Sequence, residues 1–300
     1  MNTATDIILK NVEILSRHTI DEEQYLPRKE YHLPAIDSLR EIVELIKEII
    51  FPGFFGKNQI NEWTRPYNIG VNIEKLHSLL SQQINYGLHF FTDQTNEVTS
   101  LSESKLTLTF IDRIPEIKRV LYTDIKAMFT GDPAAKSYSE VIFCYPAIQA
   151  MIHYRVAHEL LLMGIPVIPR IITELAHSAT GIDIHPGAQI GEYFSIDHGT
   201  GVVIGETCII GNHVSLYQGV TLGARSFTLD EGGNPINVPR HPIIEDRVVI
   251  YSNSTILGRI TIGHDSTIGG NIWQTSNVPP HSRILQRKAI SSSFTDGLGI

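Results

Sequence analysis

Two short motifs in the second half of the chain place a histidine beside a charged residue. Asp197-His198 is followed by Gly-Thr-Gly, and Arg240-His241 is followed by a proline. Because an imidazole titrates at about pH 6.5, it can take a proton from a hydroxyl group near neutrality. The motifs therefore predict a site of acid–base chemistry. For Asp197-His198 the alternative is a capped turn without chemistry, since both residue types tolerate tight bends.

A further carboxylate, that of Asp183, precedes His198 by 15 positions. On a regularly coiled chain the two residues would fall near adjacent levels of the coil. A carboxylate in that place can accept the Nδ1–H of the imidazole, which fixes the tautomer and leaves Nε2 free to accept a proton. We therefore predict that Asp183 orients His198 as a general base.

The element that must position these residues is a six-residue repeat. Isoleucine or leucine recurs at every sixth position, with a slip of two residues after Ile196 and a break of about twenty residues after Leu222. The histidine motifs fall on the slip and on the break, where a regular structure is interrupted. The repeated residues are Ile184, Ile190, Ile196, Ile204, Ile210, Leu216, Leu222, Ile244, Ile250, Ile256, Ile262 and Ile268.

Each repeat predicts one short strand and one turn. The repeated residue would point inward, and the glycine that often follows it would permit the bend onto the next face. Three repeats complete a triangular coil, so the twelve repeats make about four coils joined by parallel strand pairing. An ordinary β-sandwich is the alternative, but irregular alternation would not repeat isoleucine at this interval.

The residues before 181 follow a helical pattern instead. Apolar residues between Ile36 and Ile50 recur at helical spacing until a Pro-Gly pair stops them. Residues 181–276 hold 15 of the 23 glycines and only four leucines, which favours strands and turns. We expect an α + β chain with a helical domain (1–180), a solenoid domain (181–276) and a tail (277–300). The predicted helices are 36–50, 71–91, 115–129, 146–163 and 166–179.

Composition excludes several other classes of protein. The 300 residues carry a net charge of −8, and no cluster of lysine and arginine could neutralise nucleic-acid or lipid phosphates. No signal peptide or membrane span is predicted. Cys144 and Cys208 cannot build a disulfide framework, and His153 and His158 fall in a helical run, so we expect no metal. The expected location is the cytoplasm.

Several segments together resemble the serine O-acetyltransferases of the hexapeptide-repeat acyltransferase family. The segments TGIDIHP (180–186) and IDHGTGVVIGET (196–207) carry most of the likeness, and RHP (240–242) matches the second histidine motif. In the helical part, Asp132-Pro133-Ala134 and Tyr154-Arg155 are similar as well. The motifs stand in the order that the family has, which makes the resemblance specific.

The resemblance covers about residues 120–285. It implies a left-handed parallel β-helix that assembles into a trimer or a hexamer. It implies transfer of acetyl from acetyl-CoA to the hydroxyl of L-serine, giving O-acetyl-L-serine and CoA in the first step of cysteine biosynthesis. L-cysteine is implied as an inhibitor that competes with serine.

The resemblance also implies roles for individual residues. His198 would remove the proton of the serine hydroxyl, Asp183 would hold its ring, and His241 would hold the substrate or stabilise the tetrahedral oxyanion. The serine oxygen would attack the thioester directly, without an acyl-enzyme. Two carboxylates would bind the serine ammonium, and a planar guanidinium would bind its carboxylate. These three residues are Asp132, Asp197 and Arg240.

Coenzyme A would lie along a groove that small residues keep open. Gly223, Ala224 and Gly258 are the expected contacts. The sequence departs from the family here, because Gly223-Ala224-Arg225 and a longer loop replace the usual glycine pair and lysine-bearing loop. Arg225 would either supply a charge for the coenzyme phosphates or be a solvated loop residue.

Other interpretations remain open from the sequence. The terminal residues Asp296 to Ile300 could dock into O-acetylserine sulfhydrylase, as the family's tail does, or could be a frayed terminus. The acceptor could be a sugar or another hydroxyl compound instead of serine. A metal-dependent carbonic anhydrase on the same prism would need three histidine ligands, and a scaffold for the sulfhydrylase would need no chemistry.

Overall fold

The computed structural model describes residues 3–17, 19, 22, 32–56, 59–90 and 102–286. The chain divides into two compact units, Met1–Leu33 and Pro34–Ile300. The first unit contains helix α1 (Ala4–Ser16), which begins at a reciprocal cap between Thr3 and Asp6. The elements described below belong to the second unit. No helix within the described ranges combines the length and apolar character needed to cross a bilayer.

Among the described residues of the second unit, six helices precede the strands. The helices predicted over 36–50 and 146–163 agree with the structure to within one residue. Gly181, which has a φ of 70°, caps the C-terminal end of the last helix. The change from helix to strand therefore falls where glycine becomes frequent. The six are α2 (Ile36–Ile50), α3 (Arg65–Leu88), α4 (Glu103–Gly131), α5 (Tyr138–Cys144), α6 (Pro146–Leu162) and α7 (Ile168–Thr180).

Helix α4 begins earlier than the sequence predicts. Proline favours the first turn of a helix, so Pro115 was the expected start, but Pro115 lies inside α4. The start is Ser102 instead, whose hydroxyl accepts the N–H of Lys105 at 3.4 Å. Helix α3 starts at Arg65 rather than near 71, so the prediction of both starts was wrong. Pro66 lies in the first turn of α3, whereas Pro115 shows that a proline does not require a helix start.

The remaining elements are fourteen short strands of the described chain, all of them paired in parallel. Up to β13 every third strand belongs to the same sheet, so the chain winds around three faces, and β14 extends the sheet of β12. The sheets are β1-β4-β7-β10-β13, β2-β5-β8-β11 and β3-β6-β9-β12-β14. The strands are β1 (Asp183–Ile184), β2 (Gln189–Ile190), β3 (Ser195–Asp197), β4 (Val203–Ile204), β5 (Ile209–Ile210), β6 (Ser215–Tyr217), β7 (Thr221–Gly223), β8 (Ile243–Ile244), β9 (Val249–Ile250), β10 (Thr255–Leu257), β11 (Thr261–Ile262), β12 (Thr267–Ile268), β13 (Trp273–Gln274) and β14 (Arg283–Ile284).

The six-residue repeat is confirmed as the unit of this parallel β-helix. All twelve repeated residues point inward and are at most 8% exposed. The larger sheets have five strands rather than the expected four, because pairing continues past Trp273 to Arg283 and Ile284. The last strands lack an isoleucine at the sixth position, so the repeat alone did not predict them.

The glycines that follow the repeated residues are expected to permit the bend, but the structure does not give them this role. Their φ angles lie outside the left-handed region. A Cβ on Gly205 would lie 2.0 Å from His241 Cδ2, and one on Gly211 would lie 2.3 Å from Asp246 Oδ1. These glycines are therefore required by the close approach of the next coil. The left-handed turn position of the corner between the second and third sheets is occupied by Tyr193, His213, Arg247, Asp265 and His281.

A buried ion pair joins the helices to the first coil. The guanidinium of Arg155 on α6 binds Asp124 on α4 at 3.1 Å, and Asp124 is fully buried. Arg155 also donates to the carbonyl oxygens of Ile190 and Gly191, both at 2.6 Å. The Asp124 carboxylate accepts the backbone N–H of Phe194 at 3.1 Å. Backbone groups at the corner between β2 and β3 thus supply hydrogen bonds to both charged side chains.

Replacing Asp124 by asparagine should destabilise the protein by about 3–5 kcal/mol, because the Arg155 charge stays buried without its partner. Urea unfolding followed by circular dichroism would measure the loss. Arg119→Ala removes an exposed guanidinium that pairs with Glu116 and Glu192, and it should leave the unfolding midpoint nearly unchanged. Equal midpoints for both variants would contradict the assigned role of the buried pair.

Candidate active site

The first of two side-chain clusters lies where α4 meets the third sheet. Asp132 follows the last residue of α4, and Asp197 is the last residue of β3. Both carboxylates line one small pocket, together with Tyr145 and Tyr217. Tyr217 pairs with Asp197 in the parallel register of β3 and β6. The structure therefore brings together the two carboxylates that were expected to bind an ammonium group.

The carboxylate of Asp132 is held by two hydrogen bonds. Its Oδ2 accepts a short hydrogen bond from the hydroxyl of Tyr145, and its Oδ1 accepts the N–H of Ala134 at 2.8 Å. The Tyr145 hydrogen bond is the main cause that lowers the pKa of Asp132, with contributions from Ala134 and His198. The same contact raises the pKa of Tyr145 to about 12. Asp132 is therefore a fixed anion near neutral pH.

His198 follows Asp197 at the edge of this pocket. Its φ of 55° is left-handed, and its side chain is 72% exposed. The two extra residues of the slip form a bulge here. Before the bulge, Asp197 pairs with Tyr217, and after it the carbonyl oxygen of Thr200 accepts the N–H of Gly219 at 2.9 Å. The bulge lifts His198 out of the regular coil, with its Nε2 at 3.9 Å from Asp197 Oδ1.

Asp183 lies on β1, which pairs with β4. Its carboxylate faces Arg170 of α7 at 4.0 Å. Among the described residues, no hydrogen bond joins Asp183 to His198, whose ion-pair partner is Asp197. The orienting role of Asp183 therefore stays a prediction.

The second cluster forms at the corner between the first and second sheets. Arg240 donates to Glu206 Oε2 and to Asn237 Oδ1, both at 2.8 Å. Burial raises the pKa of Glu206, but the hydrogen bonds from Arg240 and Asn237 outweigh it and hold this pKa below its usual value. His241, which follows Arg240, is 7% exposed. The cluster thus combines a cation with a buried imidazole.

The two clusters lie at opposite ends of the strands of the first sheet. His198 precedes β4, whereas Glu206 follows it, and Arg240 and His241 lie one coil further along on the same side as Glu206. One chain therefore does not bring the two histidine motifs to a common corner. The predicted serine ligands are divided in the same way, with two carboxylates at one corner and the arginine at the other.

The residues expected to contact coenzyme A lie together beside the second cluster. Gly223 ends β7, and its carbonyl oxygen accepts the N–H of Gly258 at 3.0 Å. A Cβ on Gly258 would lie 3.4 Å from the Cβ of Arg225. Ala224 joins Gly223 to Arg225 in the chain. Gly223, Ala224, Arg225 and Gly258 thus form one patch at the corner that carries His241.

Two further histidines and one cysteine have structural roles. His153 and His158 hydrogen-bond to the backbone oxygens of Gln149 and Pro186, each at 2.7 Å. Cys208 is fully buried, and burial raises the pKa of its thiol to about 12. An inward position of a repeat explains this burial.

Sequence reasoning missed three residues that hold the predicted ones. Glu206 and Thr207 end the 196–207 segment, but their residue types do not indicate that they face Arg240 and His241. Tyr145 had no signal other than the proline that follows it. Each of the three acts through a contact between residues far apart in the chain, which spacing does not reveal.

A parallel β-helix of six-residue repeats, with histidines and charged residues at its corners, places the chain in the hexapeptide-repeat class of proteins. No family model matches the chain. A plasmid serine acetyltransferase of Synechococcus elongatus is 50% identical over 277 residues, which cover 90% of this chain and 87% of that protein. The chain therefore belongs to the serine acetyltransferase family.

Solved structures agree with this assignment. Serine acetyltransferase 1 of Entamoeba histolytica in complex with L-cysteine is 35% identical, with a TM-score of 0.71 over 92% of this chain and 94% of that one. A serine acetyltransferase in complex with CoA is 25% identical, with a TM-score of 0.53 over 83% of this chain and 97% of that one. The resemblance found in the sequence, the fold class and the acyltransferase assignment are thereby confirmed.

Tyr145→Phe should raise the KM for serine about tenfold, because a hydrogen bond to a charged group contributes about 1.5–3 kcal/mol. The pKa of Asp132 should rise toward its usual value of 3.8. Steady-state kinetics would measure the KM, and a carbon-13 NMR titration of the Asp132 carboxyl group would measure the pKa.

Tyr138→Phe is the matched control, since Tyr138 stacks on Phe129 at 4.3 Å outside this cluster. It should leave both quantities unchanged. An unchanged KM and an unchanged pKa of Asp132 in Tyr145→Phe would mean that Asp132 does not need this tyrosine.

Proposed function

We propose that the protein transfers the acetyl group of acetyl-CoA to the hydroxyl of L-serine at a site formed by two subunits. The separation of the two clusters on one chain carries this proposal. The first cluster supplies the carboxylates and an exposed imidazole, and the second supplies a guanidinium and a buried imidazole. A heterologous contact that brings one corner against the other corner of a neighbouring copy would join them.

Such a contact uses two different surfaces, so its repetition gives a ring when the rotation between neighbouring subunits closes. A triangular prism that meets its neighbours at two of its corners suits a ring of three. This geometry supports the trimer that the family resemblance implies. Pairing of trimers into a hexamer remains a prediction.

Serine would bind as a zwitterion between the clusters. Its ammonium group would lie against Asp132 and Asp197, and its carboxylate against Arg240 of the neighbouring subunit. The planar guanidinium favours paired contacts with a carboxylate. L-cysteine has the same two charged groups, which supports its expected role as a competing inhibitor.

The reaction needs one proton acceptor and one leaving group. His198 would take the hydroxyl proton of serine as the serine oxygen forms a bond to the thioester carbon. The carbonyl electron pair moves to the oxygen, then returns and expels the thiolate of CoA. The imidazolium of His198 then gives its proton to that thiolate. No acyl-enzyme is needed, and the patch of Gly223, Ala224, Arg225 and Gly258 would hold the coenzyme.

Other partners follow from the same family. The tail that would reach O-acetylserine sulfhydrylase through Ile300 lies outside the described residues, so this docking stays a prediction. Location in the cytoplasm stays one as well. The carbonic anhydrase and scaffold interpretations lose support, because neither needs carboxylates and an arginine arranged for an amino acid.

The shared site predicts complementation between inactive variants. His198→Ala and His241→Ala should each lose at least about a hundredfold in kcat as homo-oligomers. Co-expression with two different tags would yield mixed rings of three, in which one of the three sites should combine one intact histidine of each kind. Thiol release from acetyl-CoA by the doubly tagged fraction would measure the recovery.

If one chain supplied both histidines, no mixed ring would contain an intact site. Activity of the doubly tagged fraction would then stay at the level of the single variants. Wild type carried through the same two-tag purification is the control for damage during isolation.

The acceptor itself can be tested with a panel of serine, threonine, homoserine and sugars. Serine should have the highest kcat/KM, and Asp132→Ala should lower its kcat/KM by a factor of ten or more because one ammonium contact is lost, worth about 1.5–3 kcal/mol. A sugar acceptor would have no ammonium group. Faster transfer to a sugar, with affinity unchanged in Asp132→Ala, would favour the alternative.

A further inference from the structure

The buried imidazole of His241 is held by Thr207 at its Nδ1 side. The backbone N–H of Thr207 donates to His241 Nδ1 at 3.1 Å, and the Thr207 hydroxyl lies 2.9 Å from the same nitrogen. The hydroxyl oxygen also accepts the backbone N–H groups of Arg240 and His241, at 2.9 and 3.1 Å. One threonine therefore fixes both the ring and the backbone that carries it.

This contact determines the tautomer of His241. A backbone N–H can only donate, so Nδ1 must be the accepting nitrogen. In the neutral ring the proton then resides on Nε2. Within the described part of the chain no acceptor bonds to Nε2, although the residue is only 7% exposed. A buried side chain thus keeps one N–H donor available.

The surroundings of His241 favour the neutral ring. Burial lowers its pKa to about 4, and the charge of Arg240 acts in the same direction. Arg259 and His185 lower it further, while Glu206 opposes them. The folded-state pKa is below the usual value, so the ring becomes charged only as the pH falls toward 4. Near neutral pH it can donate a hydrogen bond but holds no proton to release as an acid.

Gly205 sets the position of the same ring. A Cβ at this position would lie 2.0 Å from His241 Cδ2 and 2.2 Å from Nε2. The imidazole therefore rests directly on the glycine backbone. Arg259 secures the other side of the corner by donating to the carbonyl oxygens of Thr207 and His241, at 2.6 and 3.0 Å.

We propose that Thr207 and Gly205 are positioning residues that lock His241 as a neutral donor whose Nε2–H stabilises the thioester oxygen during acetyl transfer. This inference rests on the proposed function, since it takes His241 to face the reacting carbonyl. As the serine oxygen bonds to the carbonyl carbon, negative charge develops on the oxygen and strengthens the hydrogen bond from Nε2. His241 neither gains nor loses a proton in this step, because the hydroxyl proton goes to His198.

The tautomer can be measured without any assay of activity. Full-length protein with ¹⁵N-labelled histidine would be studied by proton–nitrogen correlation from pH 5.5 to 8, with the His241 signals assigned by His241→Gln. One Nε2-protonated tautomer that does not titrate in this range is expected. A Nδ1-protonated ring or an imidazolium in this range would overturn the inference and would leave the proposed acetyl transfer untouched.

Kinetics test the positioning role. Thr207→Val keeps the side-chain shape but loses the hydroxyl, and it should lower kcat about tenfold or more, whereas Thr207→Ser should restore most of the activity. Loss of one oxyanion donor costs roughly 10²–10³ in kcat, so His241→Leu should fall further. His241→Gln, which can present an amide N–H, should retain more activity than His241→Leu.

Gly205→Ala should also lower kcat, because the added methyl group displaces the ring. Gly70→Ala is the matched control, since Gly70 has nothing within 4 Å of the new methyl group. Equal loss in Thr207→Val and Thr207→Ser, or equal activity of His241→Gln and His241→Leu, would show that His241 does not act as a positioned donor. Thr207→Val keeps the backbone N–H that selects the tautomer, so an unchanged kcat in this variant would show that the hydroxyl plays no part.

Discussion

The position of the candidate site depends on the buried ion pair between Asp124 and Arg155. Arg155 satisfies its remaining N–H groups with backbone oxygens of the first coil, and Asp124 accepts the N–H of Phe194. These contacts fix α4 against the β-helix at one point. Asp132 lies eight residues beyond Asp124, which is about 12 Å along a straight helix. A rigid helix therefore delivers the Asp132 carboxylate to Asp197, although neither residue contacts the ion pair.

The spacing between coils is the second constraint, and it explains where the glycines and the histidines stand. Adjacent parallel strands lie about 4.8 Å apart, so a corner residue can have a side chain only where the next coil leaves room. Gly205 leaves that room for the imidazole of His241. At the other corner, two extra residues lift His198 away from the coil instead. The regular coil thus buries the imidazole of His241, and the two-residue insertion exposes that of His198.

The sequence predicted the β-helix well because burial of one residue in six is a local, periodic requirement. All twelve predicted inward residues are buried. It also predicted α2 and α6, but it misplaced the starts of α3 and α4. In α4 the cap formed by Ser102 outweighed the signal of Pro115. The motifs indicated which residues cluster, yet not the partners that hold them. Contacts such as Tyr145 with Asp132 join distant segments, and no local pattern encodes them.

The charges of the two clusters explain why they lie apart on one chain. Asp132 is held by Tyr145 and Arg240 by Glu206, so each charged group already has a partner before any ligand arrives. If Arg240 lay beside Asp132 and Asp197, it would pair with them, and a ligand would have to break that pair. Separation by the first sheet prevents this. In the proposed two-subunit site, a zwitterion that carries both charges would satisfy both clusters at once, which a neutral hydroxyl compound could not do.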